Sequence, residues 1–285
     1  MYMLSFNDLQ GKVCVITGGA GVIGTAIAKD LVAVGVKVAI LDRDEQKAIE
    51  VAGSLSAKST NGGIAKGYKA DVLDKKQLEE AKQKINQELG SIALLINGAG
   101  GNSPKATTQL EKIEKENLNE LEKTFYGLDI EGFDFVFDLN FKGTVLPTMV
   151  FSRDMLENGK GSILNISSMN SFKPLTKIPA YSAAKASINN FTQWLAVHLA
   201  KTGIRVNAVA PGFFLTNQNR FLMIDEKTGG PTPRGKKVID NTPMNRYGEV
   251  EELSGTVLYL LSDVSKFVTG ICIPVDGGFS AFGGV

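Results

Sequence analysis

Residues 12–42 constrain the fold more than any other stretch of this chain. A β-branched run, KVCVIT, leads through a glycine cluster into an apolar stretch of helical length, 22–34, and then into a second run, KVAIL, that stops at Asp42. Strand, turn, helix and strand in that order make a unit of parallel sheet with a helix laid across it. The turn, TGGAGVIG, carries Gly18, Gly21 and Gly24, with Val22 and Ile23 opening the helix. Glycines let a backbone approach a pyrophosphate closely, and the N–H groups and dipole of a helix N-terminus attract one. Asp42 lies eighteen residues past Gly24. A carboxylate there accepts hydrogen bonds from both adenosine ribose hydroxyls and repels a 2′-phosphate, which favours NAD(H) over NADP(H). Arg43 beside it pulls the other way, because a guanidinium accommodates a phosphate. DRDE also reads as an ordinary helix cap.

The alternation continues along the chain. Helices are expected near 44–57 and from 74, strands at 64–70 and 92–96, a strand at 162–167, a helix at 181–201, a strand at 204–210, a last helix at 249–261 and a last strand at 271–276. The fold class is therefore α/β, a single domain over 1–285 with a doubly wound parallel sheet of about seven strands. Two stretches do not fit the alternation. Residues 101–131 hold a turn-rich start and then QLEKIEKENLNELEK, whose sparse apolar face (Leu110, Ile113, Leu118, Leu121) predicts a solvated helical insertion. Residues 212–247 include a polar excursion that reads as a lid.

With 43% hydrophobic residues and no break in composition, one large core is expected. Lys and Arg number 31 against 30 acids, so there is no electrostatic reason to expect nucleic acid or an anionic membrane. No apolar run reaches membrane-spanning length and the N-terminus is not signal-like, which points to the cytoplasm. Cys14 and Cys272 lie far apart in apolar runs and read as reduced core residues. One histidine, His198, argues against hydrolytic triads and histidine-rich metal sites, so no metal is expected.

The chemistry concentrates in residues 161–185, GSILNISSMNSFKPLTKIPAYSAAK. Ser168 falls at a strand end. Tyr181 and Lys185, four apart on a helix, share a face. A phenol with an ordinary pKa of ~10 must drop about three units to exchange protons near neutrality, and a nearby cation shifts it in that direction. Ser168 can hold the same substrate oxygen.

This set resembles the catalytic residues of the short-chain dehydrogenase/reductase family, and the resemblance covers essentially the whole chain. The family form of the turn is TGxxxGxG, so Val22 stands where a glycine is usual. The resemblance implies that Asp71 and Val72 meet the adenine, although Asp71 could equally cap the next helix. In NGAG it implies that Asn97 steadies the sheet while Ala99 and Gly100 floor the cofactor site. Asn140, in FDLNFKGT, resembles the family's buried catalytic Asn, which holds a water linking Lys185 to solvent. PGFFLT resembles PGxxxT, placing Pro211, Gly212, Phe214 and Thr216 at the cofactor's nicotinamide end. It implies too that the 181–201 helix pairs with its twin in a homo-oligomer, dimer or tetramer. Several segments, among them GAGGNSPKATT and APGFFLTNQNR, look like the subgroup of D-mannonate oxidoreductases, or fructuronate reductases. A sugar-acid substrate follows, with Asn102, Lys105, Asn170, Asn217, Asn219 and Arg220 as candidate contacts, Arg220 first for the carboxylate. Gluconate 5-dehydrogenase or another polyol dehydrogenase would share every catalytic residue. A silent NAD(H)-binding regulator would not need the proton donor.

Overall fold

The computed structural model describes residues 5–216 and 220–284. The first unit is as the pattern predicts: β1 (Val13–Thr17), α1 (Val22–Ala33) and β2 (Lys37–Asp42), with β1 and β2 parallel and Thr17 paired with Leu41. Then come α2 (Glu45–Ser56), β3 (Ile64–Lys69), α3 (Lys75–Glu88) and β4 (Ile92–Asn97). Beyond the insertion lie α4 (Ile130–Phe137), α5 (Gly143–Glu157), β5 (Gly161–Ile166), α6 (Pro179–His198) and β6 (Ile204–Pro211). The short α7 (Arg220–Met223) and α8 (Pro233–Asp240) lie in the polar excursion, before α9 (Ser254–Leu261) and β7 (Cys272–Val275).

Among the described residues the seven strands form one parallel sheet in the order β3-β2-β1-β4-β5-β6-β7. The chain reverses direction of growth between β1 and β4, which opens a crevice at their carboxyl ends. Side chains alternate across each strand, so β1 splits between two cores. Cys14 and Ile16 pack with Ile27 and Leu31 of α1 and with Ala48 and Ala52 of α2. Val13 and Val15 face Leu78 of α3, Phe151 of α5 and Leu195 of α6. Cys14 is a buried thiol whose pKa burial pushes up, and neither cysteine is in a disulfide.

A buried acid fastens α5 to this frame. Asp154 accepts the Ile92 backbone N–H at 3.0 Å, at the start of β4, and is ion-paired with Lys82 of α3. The carboxylate is 2% exposed, whereas Lys82 keeps contact with water. Asp154→Ala is expected to cost about 3 kcal/mol, the lower end for breaking a buried pair, because the freed lysine can still be solvated. Asp154→Asn, which keeps an acceptor for Ile92, should cost about half of that. A fall in urea midpoint at unchanged m-value checks both.

The 101–131 insertion is not the expected helix. It is a chain of short 3₁₀ turns, Pro104–Ala106, Lys115–Asn117, Leu121–Lys123 and Phe125–Gly127. Ile113, Leu118 and Leu121 remain exposed, so no packing repays helix nucleation. The loop is pinned by polar contacts instead: the Thr108 N–H donates to the Lys177 carbonyl, and Glu111 pairs with Lys237 of α8 at 2.9 Å.

Candidate active site

The turn after β1 leaves little room for side chains. Gly18 has φ +63°, and a Cβ there would lie 2.8 Å from the Ala99 Cα. A Cβ on Gly24 would lie 2.7 Å from the Gly18 carbonyl oxygen. Gly21 is the N-cap of α1 and Val22 its first residue, so a side chain at 22 disturbs neither close approach. No side chain caps α1 and no acid lies in its first turn. Its N–H groups therefore face the crevice without a competing anion, which fits a pyrophosphate. Asp42 closes β2 half-buried and accepts the Asp44 N–H at 3.2 Å, while Arg43 is exposed. Asp74, not Asp71, caps α3; Asp71 folds back on the Leu73 N–H at 2.9 Å, and Val72 is buried beside Gly143.

Asn97 is turned into the sheet. Its amide donates to Thr148 at 2.9 Å and to Asn165 at 2.8 Å, and Asn165 continues to Thr192 of α6. What positions Ala99 is Thr17, whose hydroxyl accepts the N–H groups of Gly98 and Ala99 at 3.1 and 3.2 Å. Thr17 was legible only as the last residue of a strand.

Between α4 and α5 the helix widens into a π turn, Asp138–Lys142. Such bulges gather at functional sites. This one holds Asn140, fully buried, whose amide donates to the carbonyls of Gly101 at 2.7 Å and Val136 at 2.8 Å. Its oxygen accepts the Gly101 N–H at 3.3 Å, so one side chain clamps the loop after β4. A Cβ on Gly100 would lie 2.7 Å from the Asn140 Oδ1 and 3.2 Å from the Lys185 Nζ. Asn140, Gly100 and Lys185 thus converge.

Ser168 follows β5 and accepts the Asn170 N–H at 3.3 Å. Ser171 donates to the Ser168 carbonyl at 2.6 Å, and Asn189 of α6 bonds both Ser171 and Ser167. Ser171 and Asn189 hold the Ser167–Ser171 turn against α6; spacing alone did not single them out. Asn170 is 5% exposed, and its amide oxygen has no partner. Burial raises the Tyr181 pKa, and a hydrogen bond with Ser168 offsets this in part. Lys185, 4% exposed, is pushed down to about 8 by burial. Its ammonium lies 5.7 Å from the Tyr181 ring centre and donates to the Ile166 carbonyl at 2.8 Å. The lysine is therefore poised near the phenol without depressing its pKa, contrary to the simplest reading of the spacing.

Pro211 ends β6, the Gly212 N–H donates to Val275, and Phe214 bridges to Gly248. Thr216 accepts the Arg220 N–H. Arg220 is exposed at the start of α7; Asn217 and Asn219 lie outside the described residues. Asn102 is exposed and bonds Thr107, and Lys105 stands between Asp129 and Glu131, 3.3 Å from each. His198 is far from this cluster, stacked on exposed Trp194 at 4.8 Å.

Residues 12–227 match the sequence profile of the short chain dehydrogenases. The chain is 50% identical over 280 residues to an uncharacterised oxidoreductase, UxuB, of Bacillus subtilis, with 98% of each chain covered. A crystal structure of a provisionally assigned D-mannonate oxidoreductase from Haemophilus influenzae, with NAD bound, superposes with a TM-score of 0.91 at 50% identity, covering 98% of each chain. A gluconate 5-dehydrogenase from Burkholderia cenocepacia, in complex with NADP and tartrate, superposes with a TM-score of 0.80 at 28% identity, covering 97% of this chain and 98% of that one.

Proposed function

This chain belongs to the short-chain dehydrogenase family, and from that premise we propose that it is an NAD(H)-dependent oxidoreductase interconverting D-fructuronate and D-mannonate. The observation that carries the chemistry is the convergence of Ser168, Tyr181, Lys185 and Asn140 beside Gly100, at the carboxyl ends of β4 and β5. The observation that supports the substrate is 50% identity, over 98% of each chain, with the NAD-bound structure provisionally assigned as a D-mannonate oxidoreductase.

Bound NADH supplies the hydride. The protein supplies everything else. Gly18, Gly24 and the uncapped start of α1 would hold the pyrophosphate, with Asp42 at the adenosine ribose and Val72 against the adenine. Gly212, Phe214 and Thr216 would line the nicotinamide end. Ser168 fixes the C5 carbonyl oxygen of fructuronate through its hydroxyl, and Tyr181 donates a proton to that oxygen as the ketone becomes an alcohol. Lys185 and Asn140 lead from Tyr181 toward the loop at Gly101, the route by which the phenol regains its proton. The unmet amide oxygen of Asn170 suits a substrate hydroxyl, since a buried acceptor gains a hydrogen bond at no loss of another. Positioned acid catalysis of this kind contributes roughly 10²–10⁴-fold.

No helix among the described residues is long and apolar enough to cross a membrane. A cytoplasmic enzyme acting on a small sugar acid is the proposed setting. The outer face of α6 supports a homo-oligomer: Phe191, Trp194 and His198 stack in series along it, with Phe141 edge-on to Phe191 and Trp194 exposed.

A panel of keto sugar acids, each assayed with NADH and NADPH, tests the reading. D-Fructuronate with NADH should give the highest kcat/KM, and NADPH should be poorer by about 100-fold, roughly 2.7 kcal/mol, through repulsion between Asp42 and a 2′-phosphate. A preference for 5-ketogluconate would make this a gluconate 5-dehydrogenase instead. Equal use of the two cofactors would remove Asp42 from the ribose site.

A further inference from the structure

We propose that Lys173 anchors the carboxylate of the substrate, and that the Phe282 carbonyl of the C-terminal segment, which accepts its ammonium, competes for that place. The proposal rests on the sugar-acid reading above. Lys173 lies five residues past Ser168, on the loop that leads to Tyr181. Its backbone N–H donates to the Met169 carbonyl at 3.1 Å, which holds it one turn from the catalytic serine. The side chain is half-buried, and its ammonium donates to the Phe282 carbonyl. That carbonyl is itself well placed: the Phe282 N–H donates to Gly278 at 3.1 Å, and the Phe279 ring packs edge-on against Phe213 at 5.3 Å. Phe213 follows β6 just as Ser168 follows β5, and these strands are neighbours. The ammonium is thus tied to a segment that packs beside the carboxyl end of β6, on a loop that starts at the carboxyl end of β5.

The charges around these strand ends leave Lys173 without an acid, whereas Lys177 on the same loop lies near enough to Glu111 to help lower its pKa. Lys105 is neutralised by Asp129 and Glu131, Lys142 by Asp138, Lys237 by Glu111 and Arg246 by Glu252. Among the described residues no acid pairs with Lys173, whose hydrogen bond goes to a neutral carbonyl. An ammonium has three donors, and a carboxylate adds to the hydrogen bond the attraction of a full opposite charge, which a neutral carbonyl lacks. A sugar-acid carboxylate would displace the carbonyl. The segment can yield, since Gly277 and Gly278 turn it with φ of +64° and +91°, and a Cβ on Gly283 or Gly284 would meet nothing within 4 Å. Exposed Arg220, the sequence's first candidate, has a solvated guanidinium, and exposed pairs are weak.

Lys173→Met should raise KM for fructuronate about 10- to 100-fold, with kcat within about 3-fold and KM for NADH unchanged. Lys173→Arg should restore about half of that loss on a logarithmic scale. Removal of residues 281–285 separates an anchor from a mere strap: an anchor keeps its KM or lowers it once the competing carbonyl is gone. Should the truncated enzyme lose substrate affinity as Lys173→Met does, the lysine only ties down the tail and the proposal fails. It fails alone if the parent prefers keto acids to neutral ketoses and Lys173→Met behaves like the parent. If the parent shows no preference for acids, the sugar-acid reading falls and the anchor with it.

Discussion

Tyr181→Phe is expected to lower kcat by about 10³-fold while NADH binds as in the parent. The ring sits against Ala106, Val136, Ala180 and Ala184, and phenylalanine keeps that packing. Ser168 loses one partner but still receives the Asn170 N–H, so the fold should lose less than about 1 kcal/mol. Steady-state rates and a fluorescence titration with NADH check the two halves separately. Loss of both together would mean that the hydroxyl holds the site open, not that it moves a proton.

The frame was legible because two independent periodicities agree on it. Period-two runs such as KVCVIT put alternate residues into two cores, and the glycines between runs fall where backbone meets backbone. Ser168, Tyr181 and Lys185 were legible from residue type and spacing, since a strand end and one helix turn fix them, whereas Asn140 was legible only through the resemblance of FDLNFKGT to the family. The structure adds what depends on contacts far apart in sequence. Leu118 and Leu121 have helical spacing, yet nothing covers them, so the insertion folds as turns. No sequence rule announces a π turn around Asn140, because the extra residue is set by the loop it clamps at Gly101. Lys173 meets Phe282 across 109 residues, and before folding it is one charged residue among many. The charge state of the pair was misjudged for the same reason: spacing brings Lys185 near Tyr181, but burial dominates both groups.

That burial makes Lys185 a liability for stability, and Lys185→Met should expose it. Activity should fall by at least about 10²-fold, because the proton path from Tyr181 loses its cation. Stability should move the other way. The lysine has a pKa of about 8 in the folded chain against a reference of 10.5, so at neutral pH the unfolded chain holds its proton more tightly. The difference penalises the native state by about 3 kcal/mol at 1.36 kcal/mol per unit. Methionine removes the penalty but leaves the buried Ile166 carbonyl without its 2.8 Å donor, which costs about 1–2 kcal/mol. The net gain expected at pH 7 is therefore about 1–2 kcal/mol. The sign of the pH dependence follows from the depressed pKa. Below pH 8 both states of the parent are protonated and the penalty is constant; between about 8 and 10.5 the unfolded chain still binds the proton that the native chain has released, and the parent gains stability as pH rises. Above that window the penalty is gone and only the lost hydrogen bond remains, so the variant should become the less stable of the two. Urea unfolding of both proteins at pH 7 and near pH 10.5 decides the matter: a variant less stable than the parent at both would mean that Lys185 is accommodated in the fold without cost.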